Sequence, residues 1–347
     1  MLRWVGSLLQ GHKQRVVINV ISFEWAQVVS GVPRGSVLGP VCFILFINDL
    51  DTSMDIVNGF ISKFADDTKC GRKVVDEKDR EAMQLDIDKL QMWAERWQME
   101  FNAGKCKILH FGTNNPRYNY TMGGYAPAGT ILESVEEEKD IGVIIQTSLK
   151  PSAQCAKAAK KANSVLGQMF RAIHYRDKFN WIRLYKTYVR CHLDFSAQAW
   201  SPWTVADKTL LESVQERAVR MVTGLKGKTY VEKIAEVGLT TLEDRRLRGD
   251  MIQVWKILHE KDDVKPNTFF SVAGEVHAHS TRGAVLLDDE GEIIGNTMNL
   301  VVPKYNLDVR KYSFSHRVVN PWNDLPNEIK FAESINDFKN MYDDHMK

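Results

Sequence analysis

Adjacent carboxylates are among the few side-chain arrangements that can hold divalent cations, and this chain has four Asp-Asp pairs, at 66-67, 262-263, 288-289 and 343-344. Three of them read as solvated turn or cap residues. Asp66-Asp67 has a different setting. Ile61, Phe64 and Ala65 lead directly into the carboxylates, and a second strand-like run returns after Thr68. That pattern predicts two acids on a hairpin tip at the rim of a buried sheet, where charge is costly unless paired or bound to a cation. Two divalent ions ~3.5–4 Å apart on such carboxylates clamp the attacking and leaving oxygens of a phosphoryl transfer. Oxygen ligands point to Mg²⁺. An ordinary acidic turn satisfies the same residues, and the local pattern leaves both readings open.

The elements around this pair are legible from spacing. Gly31-Val32-Pro33-Arg34-Gly35-Ser36 is a turn, followed by an apolar stretch over 41–47. Ser36 can cap and Pro40 suits a first turn, which predicts a buried helix ending near Asn48-Asp49. Asn48 and Asp49 then serve as hydrogen bonders at the helix end. Residues 61–64 and 69–75 flank the acids as short strands. Upstream, 1–9 has helical spacing ending at Gly11, and 14–20 with 25–29 reads as a hairpin across a polar turn. Met83, Ile87, Leu90, Ala94, Trp97 and Phe101 step by three and four, the stripe of an amphipathic helix. Trp93 and Trp97 are assigned to the core. Residues 105–111 and 141–145 read as strands, separated by a Gly/Pro/Asn-rich excursion over 113–129.

From about 151 the texture becomes helical, with patterns over 155–173, 181–195, 207–222 and 242–259. The remaining stretch mixes turns, short strands and a terminal helix over 336–342. The fold class is α+β, divided into 1–150, a helical unit over 151–262 and an extension over 263–347 whose role the residues do not reveal.

Composition sets bounds. With 44% hydrophobic and 26% charged residues in 347, the chain is ordinary globular protein. Its net charge of +2 names no partner, but residues 151–230 hold 14 Lys/Arg against 5 Asp/Glu. Such a surplus suits a phosphate backbone, and a solvated helix face accounts for it as well. Cysteines 42, 70, 106, 155 and 191 lie far apart, without metal-knuckle spacing, and read as buried thiols of a reducing compartment. No apolar run reaches the roughly 18 residues of a membrane span, and no signal-peptide core opens the chain. The expectation is a soluble intracellular protein, nuclear or cytoplasmic, with no membrane partner. Oligomeric state is not legible.

Five motifs in order carry a resemblance. Gly31-Val32-Pro33-Arg34-Gly35-Ser36-Val37-Leu38-Gly39-Pro40, Phe46-Ile47-Asn48-Asp49-Leu50, Phe64-Ala65-Asp66-Asp67, Phe101-Asn102-Ala103-Gly104-Lys105 and Ile141-Gly142-Val143 resemble reverse transcriptases of non-LTR, LINE-type retrotransposons in the jockey-like group. Pro321-Trp322-Asn323-Asp324-Leu325-Pro326 resembles the end of their reading frames. The resemblance implies a partial polymerase palm to 150, a thumb-like basic unit to 262, and two-metal transfer from deoxynucleoside triphosphates onto a DNA primer along an RNA template. It implies that Asp66 is a Mg²⁺ ligand and Asp67 its neighbouring carboxylate. Phe64 would stand near the primer end, and Gly31, Pro33, Arg34, Gly35 and Ser36 would meet template and nucleotide. Lys105 would sit near the departing pyrophosphate, although its own context reads as a solvated strand-end lysine. Gly142 would belong to the primer grip.

Two departures stand out. Arg34 occupies a position where the family has Gln, and a charged guanidinium does not replace an amide at a tight contact. In the family a further catalytic Asp lies upstream of the first helix seen here, with the fingers and an endonuclease, and no Asp or Glu precedes Glu24. The expectation is therefore a truncated transposable-element polymerase, one metal ligand short and inactive by itself, with exposed apolar surface and an open sheet edge. The alternatives are a non-catalytic nucleic-acid-binding remnant and a degenerate, poorly folded product.

Overall fold

The computed structural model describes residues 6–7, 10–28, 31–32, 35–123, 129–273 and 298–347. Pro33, Arg34, Asp288-Asp289 and most of the expected 1–9 helix lie outside these residues. The chain forms two compact units, Met1–Val135 and Glu136–Lys347.

In the first unit, Lys13–Gln14 pairs with Ala26–Gln27, and Val17–Ile18 with Ile21–Ser22, as one interrupted antiparallel hairpin. Its turn is Asn19-Val20, ahead of the expected position. Both residues take positive φ, 46° and 73°, which a tight hairpin turn demands and Asn tolerates. The Leu38–Ile47 helix begins as expected, with Ser36 Oγ accepting the Gly39 N–H at 2.9 Å, and it gives way at Asn48. Its expected burial is not found: Val41, Ile44 and Leu45 are exposed, Leu45 by 72%. Only one side packs, through Ile47, Phe43 and Phe46 in the cluster around Leu90 and Trp93.

The Glu77–Arg96 helix is capped by Asp76, whose carboxylate accepts the Asp79 N–H at 3.0 Å. Its inward stripe serves two small cores. Leu90, Trp93 and Ala94 meet Leu50 and Met54, while Met83 and Ile87 meet Tyr120, Met122 and Leu132. Trp97, at the end of the helix, is exposed and packs its ring 5.4 Å from Phe46. The expected 105–111 strand shrinks to Lys107–Ile108, parallel to Glu133–Ser134. Ala103–Lys105 is a 3-10 turn instead. Every sheet among the described residues has two strands.

The second unit starts with a hairpin, Glu137–Asp140 against Val143–Gln146. Ile141 and Gly142 form its turn at φ 45° and 89°, so Ile141 is not the strand residue expected. Val143 and Ile145 pack into the helical core, which moves the unit boundary ahead of the expected position near 150. The Ser152–Ala172 helix buries Cys155, Ala158, Ala162 and Leu166, and the Val205–Arg220 helix buries Leu211, Val214 and Ala218. Trp181 donates its indole N–H to the Ala218 carbonyl at 2.9 Å, and Tyr185 its hydroxyl to Gln215 at 3.0 Å. The stretch expected as one helix over 181–195 is three pieces: Lys178–Leu184, a π-helical turn Tyr185–Val189, and Arg190–Asp194.

A second core joins the far half of the Leu242–Leu258 helix to the tail, with Met251, Val254 and Trp255 against Trp322, Phe338 and Tyr342. Asp250 accepts two hydrogen bonds from Arg317, at 2.9 and 3.0 Å, and burial pushes its carboxyl up. Cys155 is buried, but Cys191 is exposed and Cys42, Cys70 and Cys106 are intermediate, so uniform thiol burial is not found. Among the described residues no helix is long and apolar enough to cross a membrane.

Burial depresses the proton affinity of His192, His259 and His316. His316 also accepts at Nε2 from the Arg310 guanidinium at 3.2 Å, which requires an unprotonated nitrogen. A histidine with a lowered folded pKa contributes stability that is present above its unfolded pKa, about 6.5, and lost as pH falls through the folded value. Thermal melts should therefore show a lower Tm at pH 5 than at pH 7.5, and His316→Gln should flatten that slope. Asp250, whose carboxyl burial pushes up, works in the opposite direction; a Tm that rises toward pH 5 would contradict the histidine assignment.

Candidate active-site hairpin

Gly59–Phe64 and Asp67–Arg72 pair antiparallel with Phe64 opposite Asp67, so Ala65-Asp66 is a two-residue turn. Ala65 adopts φ 52°, a conformation its Cβ disfavours and that is rarely taken up without compensating contacts. The pair thus sits on a hairpin tip as expected. The surrounding buried sheet does not: among the described residues the hairpin has no third strand, and Phe60 and Phe64 are exposed by 57% and 61%. Two strands alone can bury only one face, and here it is the face carrying Ile61, Lys63 and Cys70.

Two cations fix that face. The Lys63 ammonium donates to the carbonyls of Ile47 and Asn48 at 3.0 and 2.9 Å and to the Asp51 carboxylate at 2.7 Å. It satisfies the C-terminal carbonyls of the Leu38–Ile47 helix, where a cation is also favoured by the helix dipole. The Lys63 hydrogen bond holds the Asp51 carboxyl below its ordinary value. At the other end of the hairpin, Arg72 donates through Nε to Asp86 at 2.8 Å, both side chains nearly buried. The hairpin is therefore anchored to one helix beside the acids and to another at its base. Sequence reasoning missed both anchors. The available signal was Lys63 in register with Ile61, a charge on the strand's inward face.

Asp66 and Asp67 are exposed, and their carboxylates have no hydrogen-bond or ion-pair partner among the described residues. The other described pairs differ. Asp262 accepts from Lys256 at 3.0 Å and Gln253 at 2.6 Å, and Asp343 from Arg248 at 2.5 Å. Asp66 and Asp67 suit a hard cation in kind, as open oxygen donors. They fall short in number, since no three His, Cys, Asp or Glu among the described residues gather into a metal-binding group.

Gly31 and Gly35 take φ 87° and 79° with open space where a Cβ would stand, so the backbone conformation itself requires glycine. Ser36 is spent on its helix cap. Asp49 accepts the Trp93 indole N–H at 3.1 Å, a structural role. Lys105 is exposed in its turn and makes no hydrogen bond to the acids. Gly142 lies in the second unit, where a Cβ would come within 3.0 Å of the Phe195 ring and where its carbonyl accepts from Lys157 at 3.1 Å.

Replacing Lys63 by Met keeps the stem and removes three acceptor contacts, two of them to helix-end carbonyls. We expect a loss of about 2 kcal/mol of local stability, since hydrogen bonds to a charged group are worth ~1.5–3 kcal/mol. Amides over 59–72 should exchange roughly 30-fold faster, given 1.4 kcal/mol per decade. Unchanged exchange would mean the ammonium carries no load.

The reverse transcriptase (RNA-dependent DNA polymerase) family matches residues 2–170. The RNA-directed DNA polymerase from mobile element jockey of Drosophila funebris is 26% identical over 280 residues, covering 77% of this chain and 29% of that polymerase. The jockey polymerase of Drosophila melanogaster is 23% identical over 229 residues, and the probable RNA-directed DNA polymerase from transposon X-element of the same species 23% over 230. The chain spans less than a third of the length of these relatives. No solved structure matches it. Residues 2–170, with the Asp-Asp hairpin tip among them, thus match a reverse transcriptase domain, and the relatives are RNA-directed DNA polymerases of mobile elements.

Proposed function

We propose that the 59–72 hairpin is the acidic element of a template-directed nucleotidyl-transfer site, acting in an RNA-directed DNA polymerase that copies an RNA template from a DNA primer with deoxynucleoside triphosphates. One observation carries this: of the three described Asp-Asp pairs, 66-67 alone stands unpaired, on a strained turn anchored by Lys63 and Arg72. Asp66 and Asp67 would present oxygen ligands to Mg²⁺, which supplies charge stabilisation to a phosphoryl transfer when bound. Phe64, beside the acids, offers an apolar ring to a primer terminus. Gly31 and Gly35 let backbone approach template and nucleotide, with Pro33, Arg34 and Ser36 in the same turn. Lys105 would stabilise departing pyrophosphate, and Gly142 would contribute to a primer grip. On this reading the unit that ends at Val135 is part of a palm, the helical stretch to 262 a thumb-like unit that positions duplex phosphates, and 263–347 an extension built onto it.

Two carboxylates do not complete a two-metal site, so a third ligand must come from residues beyond those described. The test is primer extension on an RNA template with Mg²⁺, using this chain and a longer polypeptide that contains it. Incorporation is expected from a polypeptide that completes the site, and background only from the same polypeptide carrying Asp66→Asn. Incorporation that survives loss of Asp66 would overturn the assignment.

A further inference from the structure

Two of the five cysteines pack on one small core of the first unit. Cys70 lies on the inward face of the acid hairpin, opposite Ile61 across the strand pair. Cys106 directly follows the Ala103–Lys105 turn. Both pack against the cluster of Met83, Ile87, Tyr120, Met122 and Leu132, which no other cysteine among the described residues joins. The Cys106 thiol donates to the Met122 thioether sulfur at 3.8 Å, which turns it into that core. Its backbone N–H donates to the Asn102 and Ala103 carbonyls, each at 3.2 Å, so the turn fixes where the thiol stands. Cys70 is held by its strand register and by Arg72, two residues on, whose guanidinium donates to Asp86. Neither thiol is sealed off: both are partly exposed, whereas Cys155 is buried.

The two sulfurs stand close enough to act on each other. Burial, and then the Asp86 carboxylate, pushes the Cys70 thiol up to about 11, and Cys106 adds to that rise. Burial raises the Cys106 thiol as well, but there the Lys107 ammonium opposes it. Cys106 is therefore the thiol that more readily gives a thiolate, while Cys70 stays protonated near neutrality. That division suits a pair in which one sulfur reacts first and the other resolves it.

We propose that Cys70 and Cys106 form a reversible redox pair, closing to a disulfide that ties the acid hairpin to the Lys105 turn. The oxidant is hydrogen peroxide. The Cys106 thiolate attacks a peroxide oxygen and becomes a sulfenic acid, and the released hydroxide takes up a proton as water. The Cys70 sulfur then attacks the sulfenic sulfur, and its proton leaves with the displaced hydroxide as a second water. Two thiols lose two electrons, and one hydrogen peroxide becomes two waters. A thiol reductant reverses the bridge by exchange. The bond closes a loop that contains the Glu77–Arg96 helix, so hairpin, helix and turn are joined covalently. On the polymerase reading Asp66 and Asp67 would then be tethered to Lys105, but the bridge forms or fails whether or not the chain polymerises.

The test uses the full, reduced chain in native buffer, treated with a small molar excess of hydrogen peroxide. Remaining thiols are then alkylated in denaturant, and the digest is read by mass spectrometry. The expected product is an intramolecular 70–106 link, about 2 Da lighter than its two thiol peptides together and in roughly tenfold excess over any other pair. Dithiothreitol should remove it. Amide exchange over 59–72 should slow by roughly tenfold on oxidation and recover on reduction. Cys70→Ala should leave Cys106 as a sulfenic acid that dimedone captures, and Cys106→Ser should abolish the link. Both cysteines remaining free in the parent would assign them to packing alone and overturn the pair. So would a link that forms as readily in urea, or Met122 sulfoxide or a Cys191-linked dimer as the sole product. A 70–106 link that leaves exchange over 59–72 unchanged would overturn the tether. Primer extension decides the polymerase reading separately from all of these outcomes.

Discussion

Asp66→Asn should reduce nucleotide incorporation by on the order of a thousandfold or more in a polypeptide that completes the site, and leave folding almost untouched. The two halves of this expectation have separate causes. Asparagine keeps the size of the side chain but removes the negative charge, and a neutral amide is a much poorer ligand for a hard divalent cation. Where catalysis depends on preorganised charge, deleting one such group costs about 10²–10³ in rate, and a shared ligand more. Stability is a different matter. The Asp66 carboxylate is exposed at the turn and partnered by nothing among the described residues, so its replacement should shift stability by no more than about 0.5 kcal/mol. Primer extension and a thermal melt on the same preparations separate the two. A variant that loses activity and several degrees of Tm together would indicate a structural acid.

Trp322→Ala should be the most damaging single change to the fold. Trp322 is fully buried, lies 6.1 Å from Phe338 ring to ring, and donates its indole N–H to the Met298 carbonyl at 2.7 Å. Truncating a buried aromatic costs ~3–5 kcal/mol, and the orphaned carbonyl adds about 1 kcal/mol or more. At roughly 2–4 °C per kcal/mol for units of this size, Tm should fall by about 10–20 °C. Trp322→Phe keeps most of the ring and loses only the donor, and should cost about 1–2 kcal/mol. Equal losses for both variants would place the stability in the hydrogen bond instead of the packing. Asn323 supports the same junction: its amide exchanges two hydrogen bonds with Leu300, each at 2.8 Å, as a neighbouring strand would. The Pro321–Pro326 motif, noticed in the sequence only as a resemblance, is on this geometry a clamp that holds residues 298–300 to the tail core.

Some of this was legible from residue types alone. Local chemistry decides helix starts, and Ser36 and the 3-4 spacing of Met83, Ile87, Leu90 and Ala94 announced two helices correctly, whereas the Asp76 cap of the second went unread. The acidic hairpin tip was equally plain, because strand pattern and a two-residue turn are encoded within a dozen residues. Burial was not. The apolar run over 41–47 looked like a core helix, but half its surface found no partner among the described residues, and periodicity cannot tell an inward face from an unpartnered one.

What the amino-acid sequence determined by itself is the likeness to reverse transcriptases, through the order of its motifs, and the placing of two adjacent acids on a strand turn. What only the tertiary structure decided is how those acids are held and how charge is distributed. Lys63 meets helix carbonyls 15 and 16 residues away, Arg72 meets Asp86, and Asp194 is shared by Arg190 and an arginine 51 residues beyond that acid. A side chain's local sequence fixes its type and backbone conformation, whereas its partners depend on which distant segments packing brings within hydrogen-bond reach.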